Sequence, residues 1–319
     1  MRPLFTTPLF AVASAFFLSL ASLFLALDAL AAGQTPIPVI VSVPPQKYLV
    51  DSIGGNHVTV RIMTGKGRDP HSYEPTAAQM ADISRATVYF AIGVPFESVW
   101  LPKFRSLNPS LRVYHHLAGI TRLTGRPDMT LRGATEKNGR RHPHGHTHPH
   151  KHGLETDDPH IWLSPAIMAS LAGGIAETLA GVDPEHAEFF RKRAKALSDE
   201  ITALDARIHS LFASIPEAKR VFLTFHQSWA YYAYNYTLRE ASVELEGREP
   251  GPKSMARLMD FASHNKITVL VIDPATSGTA ARAVASSIGA TIVTATPLEE
   301  DWPTSMWRFS QALATALAR

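Results

Sequence analysis

The chain has 319 residues, 45% of them hydrophobic and 18% charged, which is the balance of a folded protein long enough for two domains. It holds no cysteine and 15 histidines, and this excludes disulfides, thiolate zinc sites, iron–sulfur clusters, cysteine nucleophiles and a lipid-anchored N-terminal cysteine. Any transition-metal site must use imidazole and carboxylate. A formal net charge of +3 is too small and too scattered to argue for nucleic acid.

Residues 1–31 read as a secretory signal: Arg2, then an almost unbroken apolar run over residues 9–27, then the small-x-small site Ala29-Leu30-Ala31. The mature chain is expected to start near Ala32. A retained anchor is the alternative, since the run could span a bilayer, but Asp28 and the alanine-rich end favour cleavage. No later segment holds 18 consecutive apolar residues. Export without a cysteine lipobox predicts a free periplasmic protein, monomeric and not inserted in the membrane.

In the mature chain, residues 38–43 (PVIVSV) are β-branched and predict a buried strand ended by Pro44-Pro45. A helix over 46–53, a strand over 58–63, a helix over 76–85 and a strand over 87–92 follow. This alternation implies a parallel sheet covered by helices. Residues 119–158 are poor in large apolar side chains and predict a mobile loop. Two helices come next, over 165–180 and 184–215, the second with Leu197, Ile201, Leu204, Ile208, Leu211 and Ile215 as one stripe. The first pattern then returns, with strands over 220–225, 267–272 and 291–295 and helices over 251–263 and 279–288. The predicted fold is therefore α/β: an N-terminal lobe (32–164) carrying a His-rich loop (140–153), linking helices (165–218) and a C-terminal lobe (219–319).

Three histidines stand near strand ends. His71 follows the 58–63 strand, His226 ends Leu223-Thr224-Phe225-His226, and His160 lies in Asp157-Asp158-Pro159-His160-Ile161-Trp162. Ligands of open α/β sheets bind outside the carboxyl ends of the strands, which directs His71 and His226 to a cleft between the lobes. Three neutral imidazoles are a common zinc set where thiolates are missing.

The local contexts are more specific than the spacing. They are Asp69-Pro70-His71-Ser72-Tyr73-Glu74-Pro75, Ala91-Ile92-Gly93-Val94-Pro95-Phe96-Glu97, Asp158-Pro159-His160-Ile161-Trp162, Phe225-His226-Gln227-Ser228-Trp229 and Glu246-Gly247-Arg248-Glu249-Pro250. Taken in order from Pro38 to the C-terminus, they resemble the periplasmic high-affinity zinc-binding family, the zinc and manganese solute receptors of ABC importers. The resemblance implies two lobes joined by a long rigid helix and a metal between them. It implies His71, His160 and His226 as ligands and an inner-membrane ABC permease as partner. Histidine rather than glutamate at the third position implies Zn2+ over Mn2+. The family's usual Asp-Pro-Leu is here Thr296-Pro297-Leu298, so the fourth contact stays open among Asp273, Thr296, Glu299, Glu300, Asp301 and water.

His142, His144, His146, His148, His150 and His152 alternate with other residues, and Pro143 and Pro149 keep the run out of a helix. Such a loop is expected to bind metal weakly and at several points, as an auxiliary to the tight site. A solvated loop without a role is the plainer alternative. His57, His115, His116, His186, His209 and His264 carry no assigned role, and Trp162, Trp229, Tyr231 and Tyr232 are read as core. The expected function is binding without catalysis. A metal buffer acting through the loop competes with it. A zinc hydrolase is disfavoured, since no His-Glu-x-x-His and no general base can be named.

Overall fold

The computed structural model describes residues 35–65, 67–121, 123, 130–132, 158–224, 227–244, 252–274 and 278–319. The expected signal segment, His226 and the histidine run lie outside them.

The first sheet grows from short β-branched runs. It consists of β1 (Ile37–Val41), β2 (Val58–Ile62), β3 (Val88–Ala91) and β4 (Arg112–His115), ordered β2-β1-β3-β4 with every pair parallel. Its helices are α1 (Pro44–Gly54), α2 (Ala77–Arg85) and α3 (Pro95–Leu107). Pro44 and Pro45 do not merely end the strand: they form the first turn of α1, where a missing N–H costs nothing. Gln46 Oε1 accepts from the buried N–H groups of Ser42 at 2.9 Å and Val43 at 3.1 Å. Gly55, at φ +56, turns the chain out of the helix. Thr76 and Gln79 cap α2 reciprocally. Glu97, which closes the Ala91–Glu97 motif, is a structural residue. Its carboxylate accepts from Ile92 N at 2.9 Å, Gly93 N at 2.8 Å and Ser42 Oγ. It thereby stitches the ends of β1 and β3 together.

Two helices follow, α4 (Pro165–Ala180) and α5 (Ala187–Ala213). The expected 184–215 helix is shorter at both ends. Pro184–His186 form a 3-10 turn, and Ile215 is buried beyond the last helical turn. The buried stripe of α5 is Phe190, Ala194, Leu197, Ile201, Leu204, Ile208 and Phe212; Leu211 is only half-buried, because a 3.6-residue period carries the stripe from 208 to 212. With 27 residues the helix is about 40 Å long.

The second sheet is also wholly parallel: β5 (Thr130–Arg132), β6 (Val221–Thr224), β7 (Arg239–Glu244), β8 (Val269–Ile272) and β9 (Thr291–Thr294), in the order β5-β7-β6-β8-β9. Its helices are α6 (Ala230–Asn235), α7 (Pro252–His264), α8 (Gly278–Ile288) and α9 (Trp302–Ala318). Residues 130–132, expected inside the first lobe, pair with β7 of this sheet.

Alternation along the strands splits the apolar side chains between two cores. Val221, Leu223, Leu270 and Ile272 face α7 and α8 through Leu258, Ala281 and Val284. Phe222, Val269, Val271 and Val293 face a larger core that continues through α5 and α9 into the first sheet. The long helix packs against α1, α4 and α9. Tyr48 of α1 stacks on Trp302 of α9 at 6.0 Å. Among the described residues no helix is long and apolar enough to cross a membrane.

Candidate metal site

The strand order reverses between β1 and β3 in the first sheet and between β6 and β8 in the second. Chain segments leaving the carboxyl ends of such strands form a crevice. Here the segments that follow β2, β8 and β9 carry His71, Asp273 and Thr296 into one cavity of about 420 Å3, and His160 joins them from the stretch before α4.

His71 sits in a short turn built by Asp69, whose carboxylate accepts from His71 N at 2.8 Å and Ser72 Oγ at 2.9 Å. Burial pushes the His71 imidazole below its ordinary pKa and the nearby His160 adds to the effect, against the opposing pull of Asp69 and Asp158. The ring is therefore neutral at pH 7, as a metal ligand must be. The His71 and His160 rings lie 5.4 Å apart, centroid to centroid, tilted by 51°.

His160 is 5% exposed and is held by Asp158. One carboxylate oxygen, Oδ1, meets both His160 N at 2.8 Å and His160 Nδ1 at 2.7 Å. A carboxylate only accepts, so the ring donates from Nδ1, and Nε2 is the atom of this ring that a metal would take. The segment is tied down on both sides. Tyr231 Oη donates to Asp158 O at 3.1 Å, Trp162 Nε1 donates to Pro297 O at 2.8 Å, and Trp302 Nε1 donates to Trp162 O at 2.8 Å. Trp162 and Trp229, read from sequence as core, are buried and also line the cavity.

His226 lies outside the described residues. Thr224 and Ser228, two residues before and two after it, are both held by Glu240, whose Oε1 accepts from Thr224 Oγ1 at 2.9 Å and Ser228 N at 3.1 Å. Burial pushes the Glu240 carboxyl up to about 8, with those hydrogen bonds opposing and Asp158 reinforcing the shift. Glu240 is a residue the sequence reading missed, because nothing in Leu238-Arg239-Glu240 marks a brace for a neighbouring strand.

Of the fourth-contact candidates, Asp273 and Thr296 line the cavity, with Thr296 Oγ1 donating to Asp273 Oδ1 at 3.2 Å. Glu299, Glu300 and Asp301 do not line it. Glu300 is held at 2.5 Å by Lys47, which also pairs with Asp51 at 2.7 Å, and Asp301 is exposed at the start of α9.

Comparison with known proteins agrees with this architecture. The zinc-binding lipoprotein AdcA of Streptococcus pneumoniae serotype 4 is 27% identical over 268 residues, covering 82% of this chain but half of AdcA. A crystal structure of ZnuA superposes with a TM-score of 0.74 at 31% identity, over 88% of this chain and 99% of that one. A zinc-bound ZnuA deletion mutant gives 0.73 at 32%, over 89% and 99%. The family described as "ZnuA: Zinc-uptake complex component A periplasmic" matches residues 39–316, and the chain belongs to that family of metal solute receptors.

Proposed function

We propose that this chain is a periplasmic high-affinity zinc receptor, exported by cleavage after residue 31, that hands Zn2+ to an inner-membrane ABC permease. The observation that carries the reading is the convergence of His71 and His160 on one cavity at the ends of two parallel sheets, with the His160 ring held through Nδ1 by Asp158. His226, which in sequence lies between Thr224 and Ser228, supplies the third imidazole. Asp273 is the carboxylate best placed to complete the shell, and Thr296 holds it. Nitrogen and oxygen donors of this kind suit zinc better than manganese, which favours an all-oxygen shell. The cargo is bound and released without chemistry. The 27-residue helix α5 limits the motion to a small closure. The ZnuA and AdcA relatives support zinc as the ion.

The six-histidine run, 142–152, acts in this reading as a loose auxiliary loop that concentrates metal near the site. Deleting residues 140–153 tests the division of labour. A receptor keeps one tight zinc site after the deletion. A buffer working through the loop loses nearly all its capacity.

A further inference from the structure

We propose that His57, Asp183 and His186 form a second metal site, remote from the cavity between the sheets, that takes a divalent ion of the zinc, nickel or copper type. His57 ends the 3-10 turn between α1 and β2, while Asp183 and His186 belong to the connection between α4 and α5. One donor atom from each residue lies within 4.8 Å of the other two. Tetrahedral zinc with bonds of about 2.0–2.2 Å needs donors about 3.3–3.5 Å apart, so rotamer-scale movements close the set. Imidazole with a carboxylate selects borderline ions over calcium or magnesium.

The donors are organised before any ion arrives. The His57 and His186 rings face each other at 3.8 Å, tilted by 37°. Asp183 Oδ2 accepts from His186 Nδ1 at 2.6 Å, and the two side chains are 10% and 31% exposed. Phe189 and Phe190 stand edge-on to His57 at 4.9 and 5.9 Å and shield one side of the cluster. The backbone is fixed as well: Asp183 N donates to Leu179 O at 2.8 Å, and Arg193 Nε of α5 donates to Ser52 O of α1 at 2.6 Å. An ion here would clamp the α1–β2 corner to the start of the long helix. Its shell has three protein donors and room for water, so it binds more weakly and exchanges faster than the proposed site between the sheets.

The test is a ZnCl2 titration of the mature full-length protein followed through the side-chain 15N resonances of its histidines. His57 and His186 should shift together in a second phase, after His71 and His160 have saturated. Asp183→Asn and His186→Asn should each weaken only that second phase, by at least about tenfold. Retained tight binding in the first phase shows that the variants are folded, and His57→Gln replaces either one that is not. The proposal is overturned if His57 and His186 do not shift at millimolar zinc, or if their shifts survive Asp183→Asn and His186→Asn unchanged. Failure of the first phase alone would count against the receptor reading and leave this site standing.

Discussion

Asp158 is the residue through which the structure makes its sharpest claim. Replacing it by alanine removes the partner of His160 Nδ1 and the acceptor of His160 N in one step, since a single oxygen serves both at 2.7 and 2.8 Å. The ring then loses its fixed tautomer and its aim. Removal of such an orienting carboxylate costs about 10–100-fold in metal affinity, or about 1.4–2.7 kcal/mol. The upper end is expected here, because the His160 backbone anchor is lost together with the ring contact. Stability should also fall by about 1–3 kcal/mol, as the buried His160 N–H is left without an acceptor. Asp158→Asn retains an acceptor oxygen but not the charge, and should lose less affinity, about tenfold. The assay is competitive zinc titration against a chromophoric chelator, with thermal unfolding of the metal-free protein alongside. Wild-type affinity in Asp158→Ala would refute the reasoning. So would an Asp158→Asn variant that is as weak as His160→Ala.

Two further outcomes concern stability. Burial pushes the fully enclosed His116 imidazole down to about 3, while Gln46 Nε2 donates to its Nδ1 at 3.1 Å. Below its ordinary pKa near 6.5 the unfolded chain takes up a proton that the fold refuses, so stability falls as pH drops from about 6.5 toward 3, by about 2 kcal/mol at pH 5. His116→Phe should flatten that part of a pH series of denaturant melts, and an unchanged slope would show the ring is not held neutral. At Gly54 an added methyl would lie 2.4 Å from both Val58 methyls and 2.9 Å from Val58 Cβ, which is fixed to β2. Gly54→Ala should therefore lower stability by about 1–3 kcal/mol despite alanine's better helix propensity, and a neutral or stabilising result in urea unfolding would contradict the packing described.

The sheets are legible in the sequence because their strands are short runs such as Val-Leu-Val-Ile at 269–272, buried on both faces. Strands β4 and β7 are not. Arg-Val-Tyr-His sits at a sheet edge with polar ends, and Arg239–Glu244 owes its strand to pairing with β6 rather than to an apolar run. Helix α3 carries Pro102 in its interior, which reads locally as a break, yet Phe96, Leu101 and Phe104 hold it against the core. Helix α9 is absent from the predicted elements although its period is open in Trp302, Met306, Phe309, Leu313 and Leu317, because the repeated strand–helix pattern ends before it. His71 is placed by the rule for strand ends. The Asp158–His160 contact has a usable signal, an acid two residues before a ligand-type histidine. The His57–Asp183–His186 cluster has none, because its parts meet only through the packing of α1 on α5.

The central claim, one tight zinc site between the two sheets, is tested most directly by calorimetric zinc titration with elemental analysis of the mature protein and its His71→Ala variant. One high-affinity zinc per wild-type chain is expected, with a loss of affinity by orders of magnitude in the variant. An unchanged tight site in His71→Ala would contradict it.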